Sequence, residues 1–247
     1  MKKKATLLIK NIERVYTMRE VHGKQLILRH AYIAIHHEEI LAVACGDFSS
    51  YLDKDTRVID AMSHIAVPGF LEPFAKLPTF DERDVVRKQQ ECLMQYMHHG
   101  TLSVHLEEVH PQLMKHYAFE VLQDRKENGR YPIIYGVSQL QKNARIAAKN
   151  FCISSYAEGY TIYDQLTIAQ MLGIRYGLDA MSLLKSLTIH PARRMGIRTC
   201  GILEEEMQAD LLLLSCESIQ EFFHGLGNDA IAHIVKKGVR IFPNILI

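Results

Sequence analysis

Apolar and polar positions alternate with a period of two at both ends of the chain and follow a helical spacing in the middle. Residues 31–36 and 40–45 are apolar or alternating runs on either side of His37-Glu38-Glu39. They read as a hairpin, although the turn lacks the usual Asn-Gly or Asp-Gly. Residues 6–9 and 57–60 predict two further short strands, and residues 210–215, 231–235 and 239–242 return to the same style near the end, the last two separated by Lys236-Lys237-Gly238. The two ends are therefore expected to share one sheet system. Between them, strands alternate with helices, the signature of parallel α/β architecture. Helices are predicted over residues 81–99, 110–128, 139–150, 162–176 and 180–195, and strands over 101–106, 132–137 and 151–155. About four β/α units fit between residues 66 and 198, roughly half of what a closed eight-unit barrel needs.

Within the strand-like stretch Val67-Pro68-Gly69-Phe70-Leu71-Glu72-Pro73-Phe74-Ala75-Lys76, Phe74 and Lys76 lie two apart, which puts them on one face. Composition narrows the partners. The 247 residues are 48% hydrophobic and 23% charged, ordinary for a globular protein. With 29 basic and 28 acidic residues and a net charge of +1, no nucleic-acid partner and no membrane surface is expected. Lys10, Asn11, Glu13 and Arg14 end the first apolar run too soon for a signal peptide, so a cytoplasmic protein is expected. Five scattered cysteines without a C-x-x-C pair argue for reduced thiols and against a thiolate zinc site.

Several stretches together resemble a known family. Residues 31–60 followed by Ile65-Ala66-Val67-Pro68-Gly69-Phe70-Leu71-Glu72-Pro73 resemble the entry of the amidohydrolase superfamily, where a small β-sandwich leads through a "V-x-P-G-F-x-D-x-H-x-H" strand into a metal-binding barrel. Ser186-Leu187-Thr188-Ile189-His190-Pro191-Ala192 and Ala209-Asp210-Leu211-Leu212 resemble that family's exit. Cys92 to Val104 and residues 150–159 are similar to segments of its imidazolonepropionase branch. The resemblance implies a composite β-sandwich over residues 1–66 and 199–247 with a truncated β/α barrel of the TIM type over 67–198, because strands three to six have no evident counterpart.

The family's chemistry uses a divalent metal that polarises an amide carbonyl and activates a bound water. Phe74 and Lys76 fall at the H-x-H positions, where Phe offers no lone pair and a protonated Lys repels a cation. Tyr156 falls at the aspartate of the last strand. The expectation is thus a catalytically silent relative with no cofactor, a pseudoenzyme that acts by binding or assembly, as a homo-oligomer, as a partner of an intact relative, or with a small-molecule ligand. The alternative is a hydrolase of carbon–nitrogen bonds in cyclic amides with a rebuilt site, using one divalent metal such as zinc or chemistry moved onto His105, Glu107, Lys76 or Tyr156.

Phe74, Lys76, His105, Glu107, Tyr156 and Glu158 are the expected pocket lining. Lys76 is a functional amine if buried beside Glu72 or Glu107, and otherwise a charge that replaces the lost ion. Cys152 or Ser155 as a nucleophile requires a base and an orienting acid that the sequence does not identify. His36 to Glu39 reads as surface charge, His98 and His99 as helix-end cations, and His190 as a turn cap.

Overall fold

The computed structural model describes residues 3–77, 84–116, 120–122, 128–142, 145–146, 149–157, 160–227 and 230–242. The chain opens with β1 (Leu7–Val21), β2 (Lys24–His36), β3 (Glu39–Cys45), β4 (Arg57–Asp60), β5 (Ile65–Pro68) and β6 (Phe70–Ala75). Then come α1 (Val85–His98), β7 (Thr101–Leu106), α2 (Pro111–His116), β8 (Glu120–Leu122), β9 (Ile133–Tyr135), α3 (Gly136–Gln141) and β10 (Cys152–Ser154). Next are β11 (Tyr156–Ala157), β12 (Tyr160–Thr161), α4 (Gln165–Tyr176), α5 (Ala180–Leu187) and α6 (Ile189–Arg194). The last elements are β13 (Leu211–Leu214), α7 (Ile219–His224), β14 (Ile231–Lys236) and β15 (Val239–Phe242). The elements form two compact units, one from residues 1–69, 198–218 and 229–247, the other from 70–197 and 219–228.

The first unit is an eight-stranded sheet ordered β15-β14-β13-β5-β1-β2-β3, with β4 also on β1. Both ends of the chain enter it. The first strand is longer than the short run expected from residues 6–9, and the reason is a reset of its alternation. The β1–β2 register shifts between Ile9 and Ile12, and Asn11 sits there at φ 57°. An extra residue at a bulge swaps which side chains face inward, so Lys10, Asn11 and Glu13 break the apolar run without ending the strand. The bulge divides the strand's work: Leu7 to Lys10 pair with β4, and Arg14 and Val15 pair with β5. Ile9, Ile12, Ile33, Leu211, Leu213 and Val235 form the core on one face. Leu8, Tyr32 and Ala34 pack on the other against Phe48 and Tyr51.

A buried ion pair ties the late strands together. Lys236 is 1% exposed and its Nζ donates to Asp210 Oδ2 at 2.6 Å. Gln208 Nε2 donates to the same oxygen at 2.7 Å, and the Lys237 backbone N–H donates to Oδ1 at 2.8 Å. Three donors thus meet the Asp210 carboxylate, and such added hydrogen bonds are what a buried ion pair needs to hold. The same bonds fix the turn between β14 and β15. Gly238 takes φ +71° there, and a Cβ on it would fall 1.8 Å from the His37 carbonyl oxygen, so no larger residue fits.

The second unit carries two parallel ladders, β6-β7-β8 and β9-β10. Side chains place β6 beside β10: Gln165 Nε2 donates to both Leu71 O (3.0 Å) and Ile153 O (2.6 Å), and Ser154 Oγ donates to Phe74 O (2.8 Å). Leu93 and Tyr96 of α1 pack with Ala75, Val104 and Leu106 beneath the strands. Asp164 and Asp179 cap α4 and α5 through the Thr167 and Ser182 amides.

Three expected helices differ from what forms. Residues 110–128 contain a short helix, α2, and a strand, β8, parallel to β7; three strand residues are too few for periodicity to separate from helix. Of the helix expected at 139–150 only residues 139–141 are helical among the described residues, as the end of α3. That helix starts at Gly136, where a Cβ would lie 2.0 Å from Ile168 Cγ2, and stops at Gln141 because Lys142 is extended. The helix expected over 180–195 breaks at Thr188 into α5 and α6, since Pro191 cannot bond back to Leu187 and its ring would crowd that carbonyl.

Truncating Asp210 strands a buried ammonium, so Asp210→Ala is expected to lower unfolding stability by about 3–5 kcal/mol in urea titrations; a change under about 1 kcal/mol would show that water reaches Lys236.

Candidate functional site

The site grows from one proline. Pro73 has no N–H to donate, and the β6–β7 register slips between Glu72 and Ala75 around it. The slip frees local backbone groups, and side chains take them up. His105 Nδ1 donates to the Pro73 carbonyl at 3.0 Å, which fixes the ring proton on Nδ1. The Phe74 N–H donates to Glu72 Oε1 at 3.3 Å instead of to a neighbouring strand.

Glu72, Phe74 and Lys76 then climb one face of the strand. Glu72 is fully buried, Phe74 half-buried, and the Lys76 side chain 47% exposed. Among the described residues no cation pairs with the carboxyl at the bottom. Its Oε2 accepts from the Ser155 N–H (3.0 Å) and from Ser155 Oγ (2.7 Å). Burial raises its pKa from 4.5 to about 7, and the Ser155 and Phe74 hydrogen bonds offset only part of that rise. Ser155 Oγ in turn shares a hydrogen bond with the Tyr96 hydroxyl at 2.8 Å. Tyr96 is wholly buried, with Tyr163 edge-on to its ring at 5.5 Å, and burial holds its phenol well above the ordinary value. The result is a chain of three protic groups, Glu72, Ser155 and Tyr96, whose first member gains and loses a proton near neutral pH.

Above the carboxyl, three rings meet edge to face. Phe74 lies 5.1 Å from Tyr156 and 6.0 Å from Tyr135, and Tyr135 lies 6.0 Å from Tyr156. Lys76 Nζ sits 6.0 Å from the Phe74 and Tyr156 centroids, within cation–π range, and pairs with Glu107 Oε2 at 2.5 Å. Glu107 first, then Tyr156 and Glu108, raise the Lys76 pKa.

Of the residues expected to line a pocket, Phe74, Lys76, Glu107 and Tyr156 thus come together. His105 is tied to the backbone beside them, and Glu158 lies outside the described residues. The acid within reach of Ser155, which the sequence did not identify, is Glu72, with Tyr96 on the other side of the hydroxyl. A carboxylate inside the apolar run Phe70-Leu71-Glu72-Pro73-Phe74 was the available signal. Cys152 is buried with its thiol 3.9 Å from the Tyr131 carbonyl, an unreactive setting. His190 Nδ1 donates to the Phe151 carbonyl at 3.0 Å.

Folded Glu72 titrates near 7 against 4.5 when unfolded, so its stabilising contribution is whole below pH 4.5 and fades as pH rises through 7. Urea titrations are expected to show a loss of about 2–3 kcal/mol between pH 5 and pH 8 that is missing in Glu72→Gln. Identical pH profiles for the two proteins would place Glu72 in contact with water.

No family model matches the chain, and no curated protein matches it. Solved structures match its fold. A mutant of the atrazine chlorohydrolase TrzN from Arthrobacter aurescens, complexed with zinc and atraton, superposes with a TM-score of 0.70 at 12% identity, covering 98% of this chain and 97% of that one. An adenosine deaminase from Xanthomonas campestris with bound zinc gives 0.72 at 10% identity, over 97% and 93% of the two chains. Molinate hydrolase gives 0.71 at 9% identity, over 98% and 96%. At such identities the likeness shows the fold alone: this chain shares the mixed α/β fold of these solved hydrolase and deaminase structures.

The zinc in two of these structures corrects the expectation of no cofactor, because a divalent metal is what the fold implies. The donor set fits it poorly. Among the described residues no three His, Cys, Asp or Glu side chains converge as a metal group, and the strand end that faces the rings presents Phe74 and Lys76. The chemistry open to these residues is proton transfer at Glu72 beneath an aromatic, cationic rim.

Proposed function

We propose that the protein is a hydrolase of carbon–nitrogen bonds other than peptide bonds, acting on cyclic amides through a site rebuilt around Glu72. The observation that carries this reading is the fully buried Glu72 carboxyl, hydrogen-bonded to Ser155 beneath the three rings, where burial raises its pKa to about 7. A general acid or base works best when it titrates near the working pH. Solved structures of the same fold include an adenosine deaminase, molinate hydrolase and an N-isopropylammelide isopropylaminohydrolase, which supports chemistry at carbon–nitrogen bonds.

In the proposed reaction a water attacks the amide carbonyl carbon and the ring C–N bond breaks, while Glu72, acting through Ser155 Oγ–H, takes a proton from that water and returns one to the departing nitrogen. Tyr96, neutral throughout, donates to Ser155 and keeps that path oriented. The edge-on rings of Phe74, Tyr135 and Tyr156 suit a flat heterocycle, and Lys76 suits the charge that builds on its carbonyl oxygen. A divalent metal, when bound, would supply an activated water; the donors present do not fit it, and no step here depends on it.

The finer architecture that accords with this reading is a composite β-sandwich with a shortened barrel of the imidazolonepropionase branch. Among the described residues β8 and β9 share no ladder. Open edges of this kind are covered by association, which supports a homo-oligomer; a monomer in sedimentation experiments at micromolar concentration would refute that part.

A second reading is a silent relative that binds its ligand without cleaving it. It is favoured by the hydrophobic ring of Phe74 and the Glu107-paired ammonium of Lys76 at the strand end. One assay separates the two. Five- and six-membered cyclic amides are expected to turn over with a pH–rate limb near 7, and Glu72→Gln to slow the reaction by about 100-fold or more. Ligand binding with no turnover, or turnover that Glu72→Gln leaves unchanged, would decide for the silent relative or for another group.

A further inference from the structure

We propose that the first unit carries a second, separate binding site, for a small carboxylate with an apolar body, between Arg57 and Arg240. A cavity of about 560 Å³ opens between β4, the β2–β3 turn and the β14–β15 turn. That volume lies in the range that small ligands occupy. Arg57 projects from β4 and Arg240 from β15, and both line the cavity. Among the described residues neither guanidinium has a hydrogen bond or an ion pair. The other charges nearby largely cancel: Lys237 pairs with Glu38 at 3.8 Å, and the Asp55 carboxylate offsets one arginine, so a net positive charge is left for a ligand.

Beside Thr6 and His37, the rest of the lining includes four apolar side chains. Buried Leu7 and Ile59 make the floor, while Val58 and Val239, 48% and 58% exposed, stand at the rim. Exposed valines beside unpaired guanidinium groups match an amphipathic anion. Two planar forks suit a carboxylate, which each can grip bidentately, and an aliphatic chain would cover the valines at the same time. The walls are held in place before any ligand arrives. Gly238 rests against the His37 carbonyl, and the Lys237 amide is fixed by buried Asp210. A preorganised pocket spends little ordering entropy on binding.

Octanoate is the probe, with calorimetric titration of the full chain as the measurement. Octanoate is expected to bind, octanol to bind at least about tenfold more weakly, and Arg57→Gln and Arg240→Gln each to weaken octanoate by about tenfold or more. Arg57 is an exposed side chain, so its variant keeps the fold if Arg240→Gln does not. No octanoate binding, equal binding by both variants, or equal binding of octanol would each overturn the proposal. Inorganic phosphate binding in place of octanoate would overturn it too, since a bare anion ignores the valines. Failure of hydrolysis at Glu72 leaves this result untouched, because the pocket uses none of that site's residues.

Discussion

Burying Glu72 without a cation constrains everything around it. A carboxyl in an apolar strand must either stay protonated or find donors, and this one does some of each: two hydrogen bonds come from Ser155 and one from Phe74, yet the pKa still rises to about 7. Meeting that demand dictates where β10 ends relative to β6. Ser155 has to reach Glu72, Ser154 then reaches the Phe74 carbonyl, and Tyr156 follows directly onto the Phe74 ring. The aromatic rim and the proton-carrying floor are thus two results of a single requirement for hydrogen-bond donors.

The other buried acid shows what a cation changes. Asp210 is 4% exposed, nearly as enclosed as Glu72, but Lys236, Gln208 and the Lys237 amide saturate it. An acid satisfied in this way is a fastener: it aligns strands and sets a turn. An acid left short of a counter-charge keeps a proton in play at neutral pH. Two carboxylates of similar burial therefore serve different ends, and the difference lies in the neighbours rather than in depth.

Much of this was readable from the chain, for reasons that can be named. The β2–β3 hairpin was legible because an apolar run stands on each side of the turn, although the pairing shifts register between Ala34 and Ile35. The shared sheet followed from apolar runs too short to bury themselves, such as Leu211 to Leu214. The gathering of Phe74, Lys76, Glu107 and Tyr156 was anticipated only because a family resemblance placed three of them at strand ends and a strand's alternation supplied the fourth. What escaped depends on contacts distant in sequence. Nothing local says that Glu72 meets Ser155, 83 residues away, or that Tyr96, apparently one more apolar position on a helix, turns its hydroxyl to the same serine. The second half of β1 escaped for the opposite reason, since its pattern is shifted by a bulge whose residue, Asn11, looks like a loop signal.

That bulge carries a consequence for how the chain can vary. Because a single surplus residue lets β1 serve β4 along its first stretch and β5 along its second, the count of residues between Ile9 and Ile12 acts as a gear setting. Removing one would rotate Ile12 and Val15 outward and leave Lys10 or Glu13 pointing into oil. Length polymorphism should consequently be forbidden inside this strand while remaining cheap in the turn at His22-Gly23, where the ribbon simply ends in solvent.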